Sequence, residues 1–175
     1  EKHKNQRRKD AQITPYINHP IELVNVLVNE GGVVSWDILC AALLHDVIED
    51  TETTEEELLA HFGKKVASIV KEVSDDKSLP KDVRKRMQVE HAPFASHEAK
   101  LVKLADKICN LRDILASPPA GWDLKRRQEY FSWAQAVVLG IRGTNSKMEK
   151  VLDRKSTRLS SHITISYAVF CLKKK

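Results

Sequence analysis

Ala41-Ala42-Leu43-Leu44-His45-Asp46-Val47-Ile48-Glu49-Asp50 is the stretch whose reading decides the fold. Leu43, Leu44, Val47 and Ile48 stand at i, i+1, i+4 and i+5, which predicts a helix with one apolar face. His45, Asp46, Glu49 and Asp50 repeat the same spacing on the other face. With Ser35 as its cap, that helix is expected over residues 36–50. Three carboxylates and an imidazole then crowd a helix C-terminus, where the macrodipole opposes negative charge. A cation is needed to offset the repulsion, and a metal ion meets that need.

Outward from this stretch the helical period persists. Ile21, Leu23, Val24, Val26, Leu27 and Val28 predict a largely buried helix that Pro20 can open and Gly31-Gly32 can stop. Thr54-Glu55-Glu56-Glu57 fits a capping box for a short helix ending at Phe62-Gly63, and Val66, Ile69, Val70 and Val73 mark the next. Residues 80–91 are charged and amphipathic, and residues 98–115 form a long apolar helix halted by Pro118-Pro119. Asp123 is placed to cap a helix over Leu124–Gly140 that turns Tyr130, Phe131, Trp133, Val137 and Val138 toward a core. Residues 1–10 are polar and are expected to be the end of a helix whose earlier turns precede Glu1. With no hairpin or alternating pattern before residue 160, the fold class is all-α.

The chain has 175 residues, enough for one domain with its own core. Its formal charge of +5 invites a nucleic-acid reading, but the charge is unevenly placed. Residues 1–152 are neutral overall, and the excess lies in residues 153–175. A neutral body argues against a duplex-binding surface, and no run of 18 apolar residues is present to span a membrane. Cys40, Cys109 and Cys171 are widely spaced; the first two sit in apolar helical patterns and read as buried thiols of a reducing compartment. Nothing in the sequence specifies an oligomeric state.

A second polar stripe gives the acidic helix its counterpart. Lys103, Asp106, Asn110 and Asp113 fall at i, i+3, i+7 and i+10 on the otherwise apolar helix of residues 98–115. An isolated buried carboxylate is costly, so Asp106 needs a partner. Facing His45-Asp46 across a metal would supply one. His19, held between Asn18 and Pro20, adds a second imidazole. Two imidazoles and two carboxylates make a mixed nitrogen and oxygen shell suited to Mn²⁺, Fe²⁺, Zn²⁺ or Mg²⁺.

Through His19, His45-Asp46 and Asp106 the sequence resembles the HD-domain metal-dependent phosphohydrolases. Within them it is most similar to the hydrolase domain of the RelA/SpoT family, in its small stand-alone metazoan form. Residues 7–10, 14–20, 41–50, 100–113 and 121–133 carry the resemblance, which covers residues 1–152. It implies an HD-domain helical bundle with a central metal site. The activity it implies is hydrolysis of the 3′-diphosphate of guanosine tetra- or pentaphosphate to GDP or GTP and pyrophosphate. By the same resemblance Mn²⁺ is held by His19, His45, Asp46 and Asp106, and Glu49 and Asp50 are the acidic pair that positions and activates the attacking water. Arg8, Lys9 and Asn110 match substrate-contacting positions, with Arg8 near the guanine, while Lys103, Arg126 and Tyr130 would reach phosphates or ribose. A small nucleotide substrate, a cytoplasmic location and no nucleic-acid or membrane partner complete the expectation.

Other readings stand beside this one. The motif does not dictate the leaving group, and animal members resemble enzymes that remove the 2′-phosphate of NADPH. A non-catalytic nucleotide- or partner-binding module is the alternative of another class, against which every ligand position is filled. Asp75-Asp76-Lys77 and Arg84-Lys85-Arg86 are expected as surface charge, the first within reach of the pocket's border, and His61, His91 and His97 as surface or capping residues. Residues 153–175 are expected to form a separate basic tail. From Arg154 that tail abandons the helical pattern and resembles translated adaptor or vector sequence; a membrane- or partner-binding tail is its functional alternative.

Overall fold

The computed structural model describes residues 2–8, 10 and 12–162, with the backbone alone over 155–162. Its elements are α1 (Asn18–Asn25), a π-helical turn (Val26–Glu30), α2 (Trp36–Leu44), α3 (Val47–Asp50), α4 (Glu55–Val73) and α5 (Lys81–His91). A 3₁₀ turn (Ala92–Phe94) follows, then α6 (His97–Ala116), α7 (Leu124–Gly140) and α8 (Ser146–His162). Among the described residues there is no strand, only the isolated antiparallel bridge between Arg7 and Pro15. The all-α expectation holds.

The bundle is built around α6, which packs on α1, α2, α4, α7, α8 and the π-helical turn. Leu101, Val102, Leu104, Ala105, Ile108, Cys109, Leu111 and Ile114 of α6 are all buried, so apolar side chains leave this helix in almost every direction. Its polar stripe therefore runs from the partly exposed Asp113 inward to Asp106. Leu23, Val26 and Leu27, together with Leu58, Ile69 and Val70 of α4, close the core around it. Gly31 makes the exit from the π-helical turn possible, since a Cβ there would lie 2.7 Å from both the Leu27 carbonyl oxygen and Met148 Sδ.

Several expected helix boundaries hold. The Thr54 side chain accepts from Glu57 N–H at 3.2 Å and Asp123 accepts from Arg126 N–H at 2.8 Å. The structure adds Ser96 as the cap of α6. Both halves of α4 are present, joined without a loop at Gly63, whose φ of 79° only glycine adopts without strain.

Four expectations are corrected. The helix over residues 36–50 is two helices, broken at His45-Asp46, where Asp46 takes φ −105° and ψ 1°. His45 Nδ1 donates to the Ala42 carbonyl at 2.7 Å, occupying the acceptor that a continuing helix would offer to Asp46 N–H. Residues 2–8 are turns and loop rather than a helix end, because Tyr16 N–H donates to Gln6 O and Arg8 N–H to Thr14 O. Cys40 is only half-buried, whereas Cys109 is buried; Cys171 lies outside the described residues. Finally, the α8 backbone stays helical across residue 153 to His162. Met148 and Leu152 anchor its first turns in the core, and residues 146–162 contain no proline or glycine to end it. Residues 163–175 lie outside the described residues.

Candidate active site

The break at His45-Asp46 serves the site directly. Donor atoms of His19, His45 and Asp106 come within 4.8 Å of one another, one each from α1, the α2–α3 junction and α6. His45 Nδ1 is committed to the Ala42 carbonyl, which fixes the tautomer and leaves Nε2 facing the cluster. Nε2 of His45 and Nδ1 of His19 are buried with no hydrogen-bond partner, an arrangement proteins avoid unless another ligand completes it. His19 Nε2 lies 3.2 Å from Asp106 Oδ1. Two buried imidazoles converging on a largely buried carboxylate fit a divalent cation.

Asp46 stands next to this set rather than in it. Its Oδ2 is 3.2 Å from His45 Nε2 and accepts the Tyr16 hydroxyl. Tyr16 is buried, with its ring 4.8 Å from that of His3 and 5.9 Å from that of His19. Asp106 has its own support: Lys107 Nζ donates to its Oδ2 at 2.9 Å and Asn110 Nδ2 to its Oδ1 at 2.6 Å. Lys107 is itself buried and sits 4.6 Å over the Trp133 ring.

The electrostatics follow from packing opposite charges out of water. Burial works to lower the His45 pKa, but Asp46 and Asp106 outweigh it and lift it to about 9. Burial works to raise Asp46, but His45 holds it down at about 2. Asp106 likewise stays well below the usual carboxylate range, because Lys107 and His19 overcome its burial. Glu49 behaves oppositely. Burial pushes its pKa up to about 7, with Asp46 and Asp75 adding to the shift.

Glu49 and Asp50 face the same cavity, of about 310 Å³, as the cluster. One Glu49 oxygen accepts Asp75 N–H at 2.7 Å. Asp50 is engaged at both oxygens, by Lys77 at Oδ1 and by Gln6 Nε2 at Oδ2, 2.6 Å. Arg8, Lys103, Asn110 and Tyr130 also line this cavity, and Arg8 is paired with Asp113. Burial pushes Tyr130 up to about 12, so it is a neutral hydroxyl. Arg126 does not reach this cavity. It lies 4.8 Å over the Trp122 ring in an adjoining one that shares Tyr130 and Trp133. Lys9 is outside the described residues.

With this geometry in view, the comparisons with known proteins decide the family. Residues 1–131 match the model of the HD domain. The chain belongs to the HD-domain family. Two relatives of this HD-domain protein carry the name guanosine-3′,5′-bis(diphosphate) 3′-pyrophosphohydrolase MESH1. The Xenopus tropicalis protein is 60 % identical over 153 residues, covering 87 % of this chain and 86 % of its own. The Danio rerio protein is 58 % identical over 154 residues, 88 % and 86 % of the two chains. A solved structure of a metazoan ortholog of SpoT, described as hydrolysing ppGpp and acting in starvation responses, superposes with a TM-score of 0.88 at 49 % identity, covering 90 % of this chain and 88 % of that one.

Some residues of the HD-domain site were not legible in the sequence. Asp75 and Lys77 were expected in a run of surface charge able to border the pocket, and they do border it: one binds Glu49 through its backbone and the other, still exposed, pairs with Asp50. Arg84 and Lys85 turn inward as well: Lys85 lies 4.9 Å over Trp133, and Arg84 faces Asp75. Of that triplet only Arg86 is surface charge, with 65 % of its side chain exposed. Gln6 and Tyr16 had no distinguishing signal beyond their closeness to Arg8 and His19 in the sequence. Their roles depend on a loop whose shape is set by Asp10, which accepts both the Thr14 N–H and its hydroxyl.

Proposed function

We infer that this protein hydrolyses guanosine 3′,5′-bis(diphosphate) to GDP and pyrophosphate, with Mn²⁺ held by His19, His45 and Asp106 and with Asp46, which adjoins them, as the fourth ligand. The observation that carries the reading is the convergence of His19, His45 and Asp106 donors within 4.8 Å on a cavity wall that also presents Glu49. The names of the Xenopus and Danio relatives and of the SpoT ortholog support the same substrate. A cytoplasmic site of action fits a nucleotide substrate, and no described helix is long and apolar enough to cross a membrane.

A divalent cation in this shell supplies positive charge to the phosphoryl oxygens and acidifies water. The side chains divide the remaining work. Glu49 accepts the proton of a water oriented toward the phosphorus bonded to O3′. Water oxygen bonds to that phosphorus as the P–O3′ bond breaks; O3′ takes up a proton to become the 3′-hydroxyl of GDP, and the diphosphate departs with the water oxygen. Between the two carboxylates, Glu49 suits the role of base, because one of its oxygens is uncommitted. Asp50, held by Lys77 and Gln6, orients rather than abstracts. Lys107 keeps Asp106 ionised and in place. Arg8 and Asn110 stand where a purine can be stacked on a guanidinium and read by an amide. Lys103 and Tyr130 face the phosphates and ribose, and Arg126 extends the contacts into the adjoining cavity.

Metal-stripped protein should release no pyrophosphate from guanosine 3′,5′-bis(diphosphate), and Mn²⁺ should restore the release. A parallel assay on NADPH, scoring orthophosphate, compares the other leaving group. Full activity of His45→Ala, or orthophosphate as the main product from the guanosine substrate, would overturn the assignment.

A further inference from the structure

Next to the cluster lies a second cavity, of about 350 Å³, between the end of α4, residues 74–79, α5 and the start of α6. It meets the metal cavity at two shared residues, Lys103 and Gln88. Charges of both signs line it, but most are already engaged. Lys71 is paired with Glu55 at 2.5 Å, and Glu72 accepts Ser96 N–H at 2.7 Å. Asp76 accepts both N–H and Oγ–H of Ser78, at 2.9 and 2.6 Å, and Asp75 Oδ2 accepts Gln88 Nε2 at 2.7 Å.

Two cations remain under-satisfied. Lys103 Nζ reaches the Val73 carbonyl only at 3.4 Å. Arg84 Nε is buried with no partner, and Arg84 Nη1 lies 3.9 Å from Asp75 Oδ2, beyond hydrogen-bond reach. A guanidinium with an unmet donor beside a part-buried ammonium, both lining one cavity, is a donor arrangement suited to phosphoryl oxygens.

The chemistry of the reaction says which phosphate belongs there. The attacked phosphorus must sit at the cluster, so the second phosphate of a 3′-diphosphate must lie one P–O–P span beyond it. A monoester ends at the cluster and leaves that space to water. We propose that Arg84, with Lys103, binds the distal phosphate of the 3′-diphosphate in this second cavity, and so selects diphosphate over monophosphate substrates. The proposal rests on the hydrolase reading above and adds the residue that sets its leaving group. The departing pyrophosphate keeps the same contacts, so pyrophosphate is a tighter product inhibitor than phosphate.

The test compares kcat/KM for guanosine 3′,5′-bis(diphosphate) with that for guanosine 5′-diphosphate 3′-monophosphate. In Arg84→Gln the ratio of the two should fall tenfold or more, and Arg84→Lys, which keeps the charge without the fork, should recover part of it. The inhibition constant for pyrophosphate should rise by a similar factor while that for phosphate stays within twofold. A ratio unchanged within twofold, in a variant that melts like the parent, overturns the proposal. Should Arg84→Gln fail to fold, the parent protein decides: pyrophosphate, but not phosphate, should protect Arg84 from phenylglyoxal, read by peptide mapping. Absence of protection at inhibitory pyrophosphate also overturns it. Failure of the hydrolase reading appears separately, as a parent protein that releases no pyrophosphate.

Discussion

Replacing Glu49 by Gln removes a proton acceptor while keeping an oxygen for the Asp75 N–H that holds it at 2.7 Å. Burial places the Glu49 pKa at about 7. If Glu49 is the base, the rate follows its ionised fraction and rises about tenfold between roughly one pH unit below and one above that value. A cation at the cluster pulls the value down, so the acid limb of the profile lies at or below about pH 7. Glu49→Gln should cost about 10²–10⁴-fold in kcat and flatten this limb. Stability should change in the other direction. The folded-state pKa is raised above the unfolded one, so ionising Glu49 costs stability as pH rises through this range, and the cost is complete above about 7. The amide avoids that cost. Allowing for partial exposure, the gain at pH 8 is about 1–2 kcal/mol, or a few degrees in Tm, and it vanishes below pH 4.5. Pyrophosphate release between pH 5 and 9 and melting at both ends of that range measure the two effects. An acid limb that survives in Glu49→Gln, or one centred above pH 8 in the parent, would refute the assignment of Glu49 as base.

Two further outcomes follow from contacts around the cluster. Tyr16→Phe removes the hydroxyl that Asp46 accepts and should weaken Mn²⁺ binding by about 10–100-fold, measured by electron paramagnetic resonance of free Mn²⁺. An unchanged affinity would show that Tyr16 does no more than fill space between His3 and His19. Lys107→Met leaves Asp106 buried without its ammonium and should lower the stability of metal-free protein by about 3 kcal/mol in thermal or urea unfolding. Mn²⁺ should narrow the gap between variant and parent, because a bound cation replaces the missing charge.

Much of this protein is legible in its sequence because local rules and tertiary packing agree. Thr54 and Asp123 announce helix starts with side chains that cap them. The apolar period of residues 98–115 identifies the central helix, and the polar stripe within it had to face something charged. His19, His45, Asp46 and Asp106 were named as ligands from residue type, spacing and the family resemblance; the donor atoms of His19, His45 and Asp106 meet, and Asp46 lies beside them. What the sequence by itself determined is therefore which helices form, where most of them end, and which buried polar groups require a common partner.

Tertiary structure decided how those groups meet and what surrounds them. A continuous helix through Asp46 is what the 3.6-residue period demands, but the His45 side chain takes the Ala42 carbonyl and the helix breaks there. No periodicity encodes that competition. Gln6, Asp75, Lys77 and Arg84 look like ordinary surface polarity in one dimension, since a polar side chain near a cavity and one in open solvent obey the same local rules. Only the packing of α5 and of the loop ending at Tyr16 against the mouth of the site separates them. The neutral charge of residues 1–152 is the summary case: sequence sets the balance, and the fold sorts it into carboxylates around a metal shell and cations left for a polyphosphate.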